Sequence, residues 1–269
     1  MTVRVLVATA VEPEAAAVRA GLDGTSEGAP EAARTGSVPV DVRAVGVGPA
    51  AAAAGTARLL ATAEAAGAPY SAVLSAGIAG GFPDRAAIGA LVLATRSIAA
   101  ELGAESPTGF LPLDELGFGD PVVPADRALL AALRAALPDA VTGAVLTLST
   151  VTGTGATARA LAGRYPDAVA EAMEGYGVAT AAGQAGLPFA ELRTISNLVG
   201  PRDRSAWRLD AAFRALTTAA PAIRRVGHAI PSAAPAAAPT GTARTAAPAT
   251  GSPANASPST GSSAPAETR

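Results

Sequence analysis

Four short polar segments of this 269-residue chain hold the residues whose types and spacing could do chemistry. Ala10-Val11-Glu12-Pro13-Glu14 follows an apolar run and supplies two carboxylates, either of which could take a proton from water. The same residues would also serve as an ordinary acidic first turn of a helix, with Pro at an early position. Ser75-Ala76-Gly77-Ile78-Ala79-Gly80-Gly81 has bare backbone N–H groups that could face a ligand oxygen or a water, or could simply form a flexible turn. Glu171-Ala172-Met173-Glu174-Gly175-Tyr176-Gly177 opens a helix between apolar stretches. Arg193-Thr194-Ile195-Ser196-Asn197 ends a strand and leads into Val199-Gly200-Pro201-Arg202-Asp203-Arg204. Polar side chains at the carboxyl end of a strand are functional more often than those on a helix face.

The elements that must position these segments alternate. Val3 to Ala8 reads as a strand and Glu12 to Leu22 as a helix; Val40 to Val47 is a strand and Ala50 to Ala66 an Ala-rich helix. Ala72 to Ala76 and Ile88 to Ala94 are short apolar strands bounded by glycines. Helix Asp126–Leu137, strand Ala144–Ser149, helix Gly177–Ala185, strand Phe189–Ser196 and a long helix from Arg204 to Gly227 complete the pattern. The expected fold is α/β: a single domain over residues 1–230 with a central, mostly parallel mixed sheet flanked by helices. Ligands bind such sheets at the carboxyl ends of the strands. Residues 231–269 are almost wholly Ala, Pro, Ser, Thr and Gly, and are expected to form a disordered tail because they cannot bury enough apolar area to offset ordering.

Composition narrows the function classes. All 20 basic residues are Arg and the formal net charge is −2, so nothing supports nucleic-acid binding. The absence of Cys excludes disulfides, thiolate metal sites and a Cys nucleophile. No metal-ligand cluster is visible and no cofactor is expected. His228, the only histidine, ends the last helix and is given no catalytic role. No apolar stretch reaches the ~18–20 residues of a membrane span, and a cytoplasmic protein is expected. Gly46, Gly48, Ala51 and Gly153, Gly155, Ala158 match the dinucleotide fingerprint weakly, since Gly and Ala are abundant and no acidic residue closes a following strand.

In this order the segments resemble the nucleoside phosphorylase superfamily, specifically its hydrolytic branch, over about residues 3 to 225. Ala10 to Glu14 is similar to the acidic loop of methylthioadenosine/adenosylhomocysteine nucleosidases. Gly46-Val47-Gly48 and Ala76 to Gly81 match their glycine loops, Met173-Glu174 their ribose-binding pair, and Arg193 to Asn197 their Arg-x-x-Ser-Asp segment. The nucleosidases carry Asp where this chain has Asn197. The segments Gly109–Gly119 and Gly200–Trp207 resemble instead the futalosine hydrolases, menaquinone-pathway relatives that release hypoxanthine. The resemblance implies a purine N-ribosidic hydrolase whose partners are a nucleoside and water, and a homo-oligomer, a dimer or larger. It implies Glu14, Glu12 and Asn197 as catalytic residues. Met173, Glu174, Ile78, Gly80, Val151, Thr152, Arg193, Ser196, Arg202, Arg204, Trp207 and Phe110 are then the expected substrate contacts.

Cleaving such a bond builds positive charge on the sugar and negative charge on the departing base. One carboxylate can accept both hydroxyls of a ribose diol, a role that suits Glu174, with Met173 beneath the sugar. A 6-aminopurine presents an acceptor at N7 beside a donor at N6, which a protonated Asp serves; hypoxanthine presents two acceptors, N7 and O6, which an Asn amide suits better. A phosphate nucleophile would want Arg or clustered N–H groups in the first loop, whereas Glu12 and Glu14 would repel it. An anionic aromatic group on the 5′ side of the ribose wants an Arg and a flat apolar wall, available in Arg202, Arg204, Trp207 and Phe110. Arg202 and Arg204 could equally flank Asp203 in a surface ion-pair cluster, and Arg193 could pair internally. The open alternatives are a methylthioadenosine/adenosylhomocysteine nucleosidase, an inosine-type phosphorylase and a non-catalytic nucleoside-binding protein. Asn197→Asp should cut hypoxanthine release sharply; unchanged release in a base-detection assay removes Asn197 from this role.

Overall fold

The computed structural model describes residues 3–24 and 38–230; the expected tail, residues 231–269, and the side chain of His228 lie outside the described residues. The strands are β1 (Val5–Thr9), β2 (Val40–Ala44), β3 (Ala72–Gly81), β4 (Leu91–Ala99), β5 (Gly103–Ser106), β6 (Gly109–Pro112), β7 (Val122–Pro124), β8 (Val141–Thr147), β9 (Ala168–Ala172) and β10 (Phe189–Leu198). The helices are α1 (Glu12–Gly24), α2 (Pro49–Ala65), α3 (Arg127–Ala136), α4 (Gly155–Arg164), α5 (Gly175–Gln184) and α6 (Leu209–Ala229).

The sheet is mixed and closes on itself. β3 pairs with β10, β10 with β4, β4 with β8, β8 with β9, and β9 returns to β3. β1 and β2 extend it from β3 in parallel, and β7 lies antiparallel on β4. Parallel pairings predominate, as the βα alternation implies. β1 is buried along its whole length, which is why it reads as an unbroken apolar run rather than an alternation.

Three sequence expectations shift. Ser75 to Gly81 is expected as a loop, but β3 continues as strand to Gly81. Its small residues let β10 pair along one edge and β9 along the other, Gly80 lying opposite both Asn197 and Glu171. The strand expected at Ile88–Ala94 lies at Leu91–Ala99. The long terminal helix divides into a 3-10 turn, Arg204–Ala206, and α6, because Trp207 takes an extended conformation between them. The β5–β6 hairpin, β7, β9 and α4 carry no strong periodic signal and were not anticipated from the sequence.

With aromatics at 3 %, the core rests on small and aliphatic side chains. Val5, Val7, Leu74, Leu93 and Leu192 from the sheet meet Val18, Leu216 and Ile223 from α1 and α6 in its largest cluster. Small residues let backbones approach closely. A Cβ at Gly177 in α5 would lie 2.1 Å from the Pro49 carbonyl oxygen of α2. One at Gly21 in α1 would lie 2.0 Å from the Thr217 carbonyl oxygen of α6. Among the described residues no helix is long and apolar enough to cross a membrane. Gly21→Ala must therefore push α1 off α6, at a cost of about 1–3 kcal/mol; a urea-unfolding midpoint equal to that of the wild type would contradict this contact.

Candidate active site

β10 carries Glu191 and Arg193 two residues apart, hence on one face of the strand. Both are buried. The register sets Ser75 opposite Glu191 and Gly77 opposite Arg193 on the neighbouring β3. The guanidinium of Arg193 spends its donors inside the protein. Nε donates to Glu191 Oε1 at 2.9 Å, Nη1 to Glu174 Oε2 at 3.3 Å, and Nη2 to Ser75 Oγ at 3.0 Å. Burial disfavours the charge, but the surrounding carboxylates of Glu191, Glu174 and Glu14 outweigh that and hold the guanidinium firmly protonated. The first residue of α5, Gly175, packs its backbone on Glu191: a Cβ there would lie 2.3 Å from Oε1 and 2.5 Å from Oε2. Burial pushes the Glu191 carboxyl up, with Arg193 and Ser97 acting against it.

Glu14 and Glu174 complete this cluster from two helix N-termini. Glu14, in the first turn of α1, is 2 % exposed. Its Oε2 accepts from the N–H groups of Ala10 at 2.8 Å and Val11 at 3.2 Å, and its Oε1 from Ile78 N–H at 2.9 Å. A side chain at position 77 would meet Glu14 Oε1 at 2.5 Å, so glycine is what lets this carboxylate reach β3. Burial raises the Glu14 carboxyl above its ordinary value of 4.5, opposed by Arg193 and by the Ile78 and Val11 amides, while Glu174 adds to the rise. Glu174 sits at the N-cap position of α5, and its Oε1 accepts from Gly48 N–H at 3.2 Å. Gly48 holds φ at 88°, a left-handed conformation that points its amide at this carboxylate. Met173 lies half-buried between Glu174 and the end of β9.

Beside this cluster a cleft opens between Gly80, Ile88, Val151, Thr152, Glu171, Asn197, Arg202 and Trp207. A β-bulge forms it. The register of β10 on β3 slips between Ile195 and Asn197, so Ser196 is the extra residue and Asn197 stands opposite Gly80. The single Ser196 Oγ proton is donated to Asn197 Oδ1 at 2.8 Å, with Ala79 O a longer alternative acceptor at 3.2 Å, and this turns the amide so that Nδ2 is its other end. One N–H of that Nδ2 is donated to Leu198 O at 3.0 Å; the second remains for a ligand acceptor. Across the cleft, the buried Glu171 accepts from Thr152 N–H at 2.7 Å at Oε1 and from the Thr152 hydroxyl at Oε2. Burial pushes its carboxyl up and the two Thr152 donors hold it back. The cluster and the cleft meet at Ile78–Gly80, where one N–H touches Glu14 and a bare glycine lines the cleft.

The structure sorts the remaining expected site residues. Glu12 turns outward and pairs with Arg19, so of the two loop carboxylates Glu14 alone faces the interior. Arg193, expected as a substrate contact, is instead the buried counter-ion of the acidic residues. Asn197 offers a ligand one N–H rather than the two expected. Arg202 and Trp207 line the cleft, the guanidinium 5.4 Å from the ring centre. Arg204 lies at 5.9 Å from the same ring and faces a second recess with Arg208 and Asp210. Asp203 caps Ser205 rather than joining an ion-pair cluster with these arginines. Phe110 is not brought to the cleft; it sits in the β5–β6 hairpin under the Arg164 guanidinium, 4.3 Å away. Ser75, Glu191 and Glu171 were not among the expected site residues. Two opposite charges two apart in an otherwise apolar strand would have signalled the Glu191–Arg193 pair. Among the described residues no group of His, Asp or Glu is placed to hold a metal ion.

Comparison with known proteins matches residues 4–229 to the phosphorylase superfamily model. The chain is 53 % identical over 179 residues to the futalosine hydrolase of Streptomyces coelicolor, covering 66 % of this chain and 76 % of that protein. It is 45 % identical over 225 residues to the futalosine hydrolase of Acidothermus cellulolyticus, covering 80 % of this chain and 88 % of that one. Among solved structures, a methylthioadenosine/adenosylhomocysteine nucleosidase from Colwellia psychrerythraea, bound to adenine, superposes with a TM-score of 0.64 at 19 % identity. That match covers 86 % of this chain and 96 % of the other.

A reaction that uses Glu14 as its base needs the ionised carboxylate, and its elevated affinity for a proton moves the loss of activity on acidification upward. The acid limb of kcat/KM against pH should lie above 4.5, the ordinary carboxylate value. Glu14→Gln should lower kcat by roughly 10²–10⁴-fold; a variant with wild-type turnover would exclude Glu14 as the base.

Proposed function

We propose that this chain, which belongs to the phosphorylase superfamily and within it to the futalosine hydrolases, cleaves the N-ribosidic bond of futalosine with water and releases hypoxanthine and dehypoxanthine futalosine. The observation that carries the choice of base is Asn197. Its amide oxygen is held by Ser196, so it meets the cleft with one free Nδ2 N–H, a donor that O6 of a 6-oxopurine can accept and that the N6 donor of a 6-aminopurine cannot.

The rest of the geometry supports the same reaction. Glu174 accepts the ribose hydroxyls above Met173 and, being anionic, favours the cation that develops as the bond stretches. Glu14 takes the proton of the attacking water, whose oxygen bonds to the anomeric carbon. The bond electrons leave with the base, whose negative charge Asn197 stabilises until it takes a proton from solvent, and Glu14 returns the proton it took to solvent, so that water is consumed with no net proton change. The Glu12–Glu14 loop gives phosphate no cation to bind, which supports water as the nucleophile. Arg202 beside Trp207 supplies the charge and flat wall suited to the anionic aromatic group on the 5′ side. The family resemblance implies, as a further part of this proposal, a homo-oligomer, a dimer or larger, acting in the cytoplasm in menaquinone biosynthesis.

The test is a panel of futalosine, inosine, methylthioadenosine and adenosylhomocysteine, with and without phosphate, with the released base identified by chromatography. Hypoxanthine from futalosine at a rate independent of phosphate is expected. Adenine from methylthioadenosine would overturn the substrate, a ribose-1-phosphate-type product would overturn hydrolysis, and no release from any of the four would favour a binding protein.

A further inference from the structure

The register around the cleft places three residues in one row. Asn197 on β10 and Glu171 on β9 both stand opposite Gly80 of the intervening β3. Residues paired across strands share a face of the sheet. At a strand spacing near 4.8 Å, the Cα atoms of Asn197 and Glu171 are therefore about 10 Å apart. Between them lies a residue without a side chain, and all three line the cleft. A Cβ at position 80 would meet Val199 Cγ2 at 3.0 Å and Asn197 Nδ2 at 3.4 Å, so the floor of this slot is open because it is glycine. One wall donates through Nδ2. The opposite wall is a carboxylate.

We propose that Glu171 is a specificity-determining residue that accepts the N1–H of a 6-oxopurine base, and so completes with Asn197 the reading of the base edge. The proposal rests on the nucleoside-hydrolase reading above. A 6-oxopurine presents acceptors at N7 and O6 and a donor at N1. A 6-aminopurine has a donor at N6 and a bare acceptor at N1. A donor wall facing an acceptor wall fits the first pattern at both ends; the second still offers N7 to the donor wall but brings its N1 acceptor against the carboxylate. Thr152 donates one N–H and one hydroxyl hydrogen to Glu171, one to each carboxylate oxygen. Each oxygen keeps a lone pair, so Thr152 fixes the carboxylate without using up its capacity to accept. The mismatch is costly because Glu171 is 5 % exposed, and a buried polar group left without its partner loses more than an exposed one.

Glu171→Gln in the full chain tests this, with kcat and KM measured for futalosine and for its 6-amino analogue. The variant should lose about 10- to 100-fold in kcat/KM for futalosine, chiefly in KM, as expected for one charge-assisted hydrogen bond. Activity on the 6-amino analogue should hold or rise, because the new amide can donate to N1. A residue that merely anchors the Thr152 loop would lower both substrates together, so an unchanged ratio between them overturns the proposal. If the wild type releases no hypoxanthine from futalosine, the reaction assignment fails instead. Calorimetric binding of free hypoxanthine and 1-methylhypoxanthine to the wild type then decides the point without turnover and without a variant that must fold. At least tenfold weaker binding of the methylated base, which has no N1 proton, supports the role of Glu171; equal affinity overturns it.

Discussion

A guanidinium sealed inside a protein keeps its charge only where carboxylates surround it, and the rest of this fold is arranged around that constraint. Arg193 sits on a strand covered on both faces, and its partners come from three different parts of the chain. Glu191 is its neighbour on β10, Glu174 comes from the N-terminal end of α5, and Ser75 reaches it from β3. Glu14 joins through Ile78 and through the field of the guanidinium. Removing one member of such a set leaves an uncompensated buried charge, so β3, β10, α1 and α5 are bound to one relative placement.

That placement has a chemical consequence. Three buried carboxylates around one guanidinium give an excess of negative charge, and desolvation drives the Glu14 proton affinity upward. The same excess opposes an anionic nucleophile and favours a cationic sugar. A carboxylate held by three backbone amides is also already oriented, so little reorganisation is needed when it receives a proton.

The cleft depends on a different device. The bulge at Ser196 flips Asn197 to the face of Gly80 and Glu171, while Glu191 and Arg193 keep the opposite face for the ion cluster. One strand thereby serves two environments. The glycines of β3 make both possible: Gly77 admits Glu14, and Gly80 leaves the floor of the slot clear. In a chain so rich in Ala and Gly, it is the positions where even a methyl group would collide that show which small residues the site needs.

The sequence by itself determined the local elements with strong periodicity, the α/β class, and most of the chemical groups, because apolar runs and helical spacing are short-range properties. Glu14, Glu174, Asn197 and the futalosine hydrolase likeness were all legible there. The ring closure of the sheet was not, since it follows from β9 and β10 meeting β3, which lies far earlier in the chain. Nor could spacing choose between Glu12 and Glu14, which lie in one helical turn and separate only when one faces Arg19 in solvent and the other faces Ile78. The family resemblance implied Arg193 as a ligand contact and left internal pairing open, and its burial among Glu191, Glu174 and Ser75 makes it a counter-ion. Glu171 read as one more acidic residue in a segment opening a helix, whereas the structure sets it in β9, opposite Gly80 and across from Asn197. Long-range pairing decides which polar groups share a space, and local pattern carries no record of it.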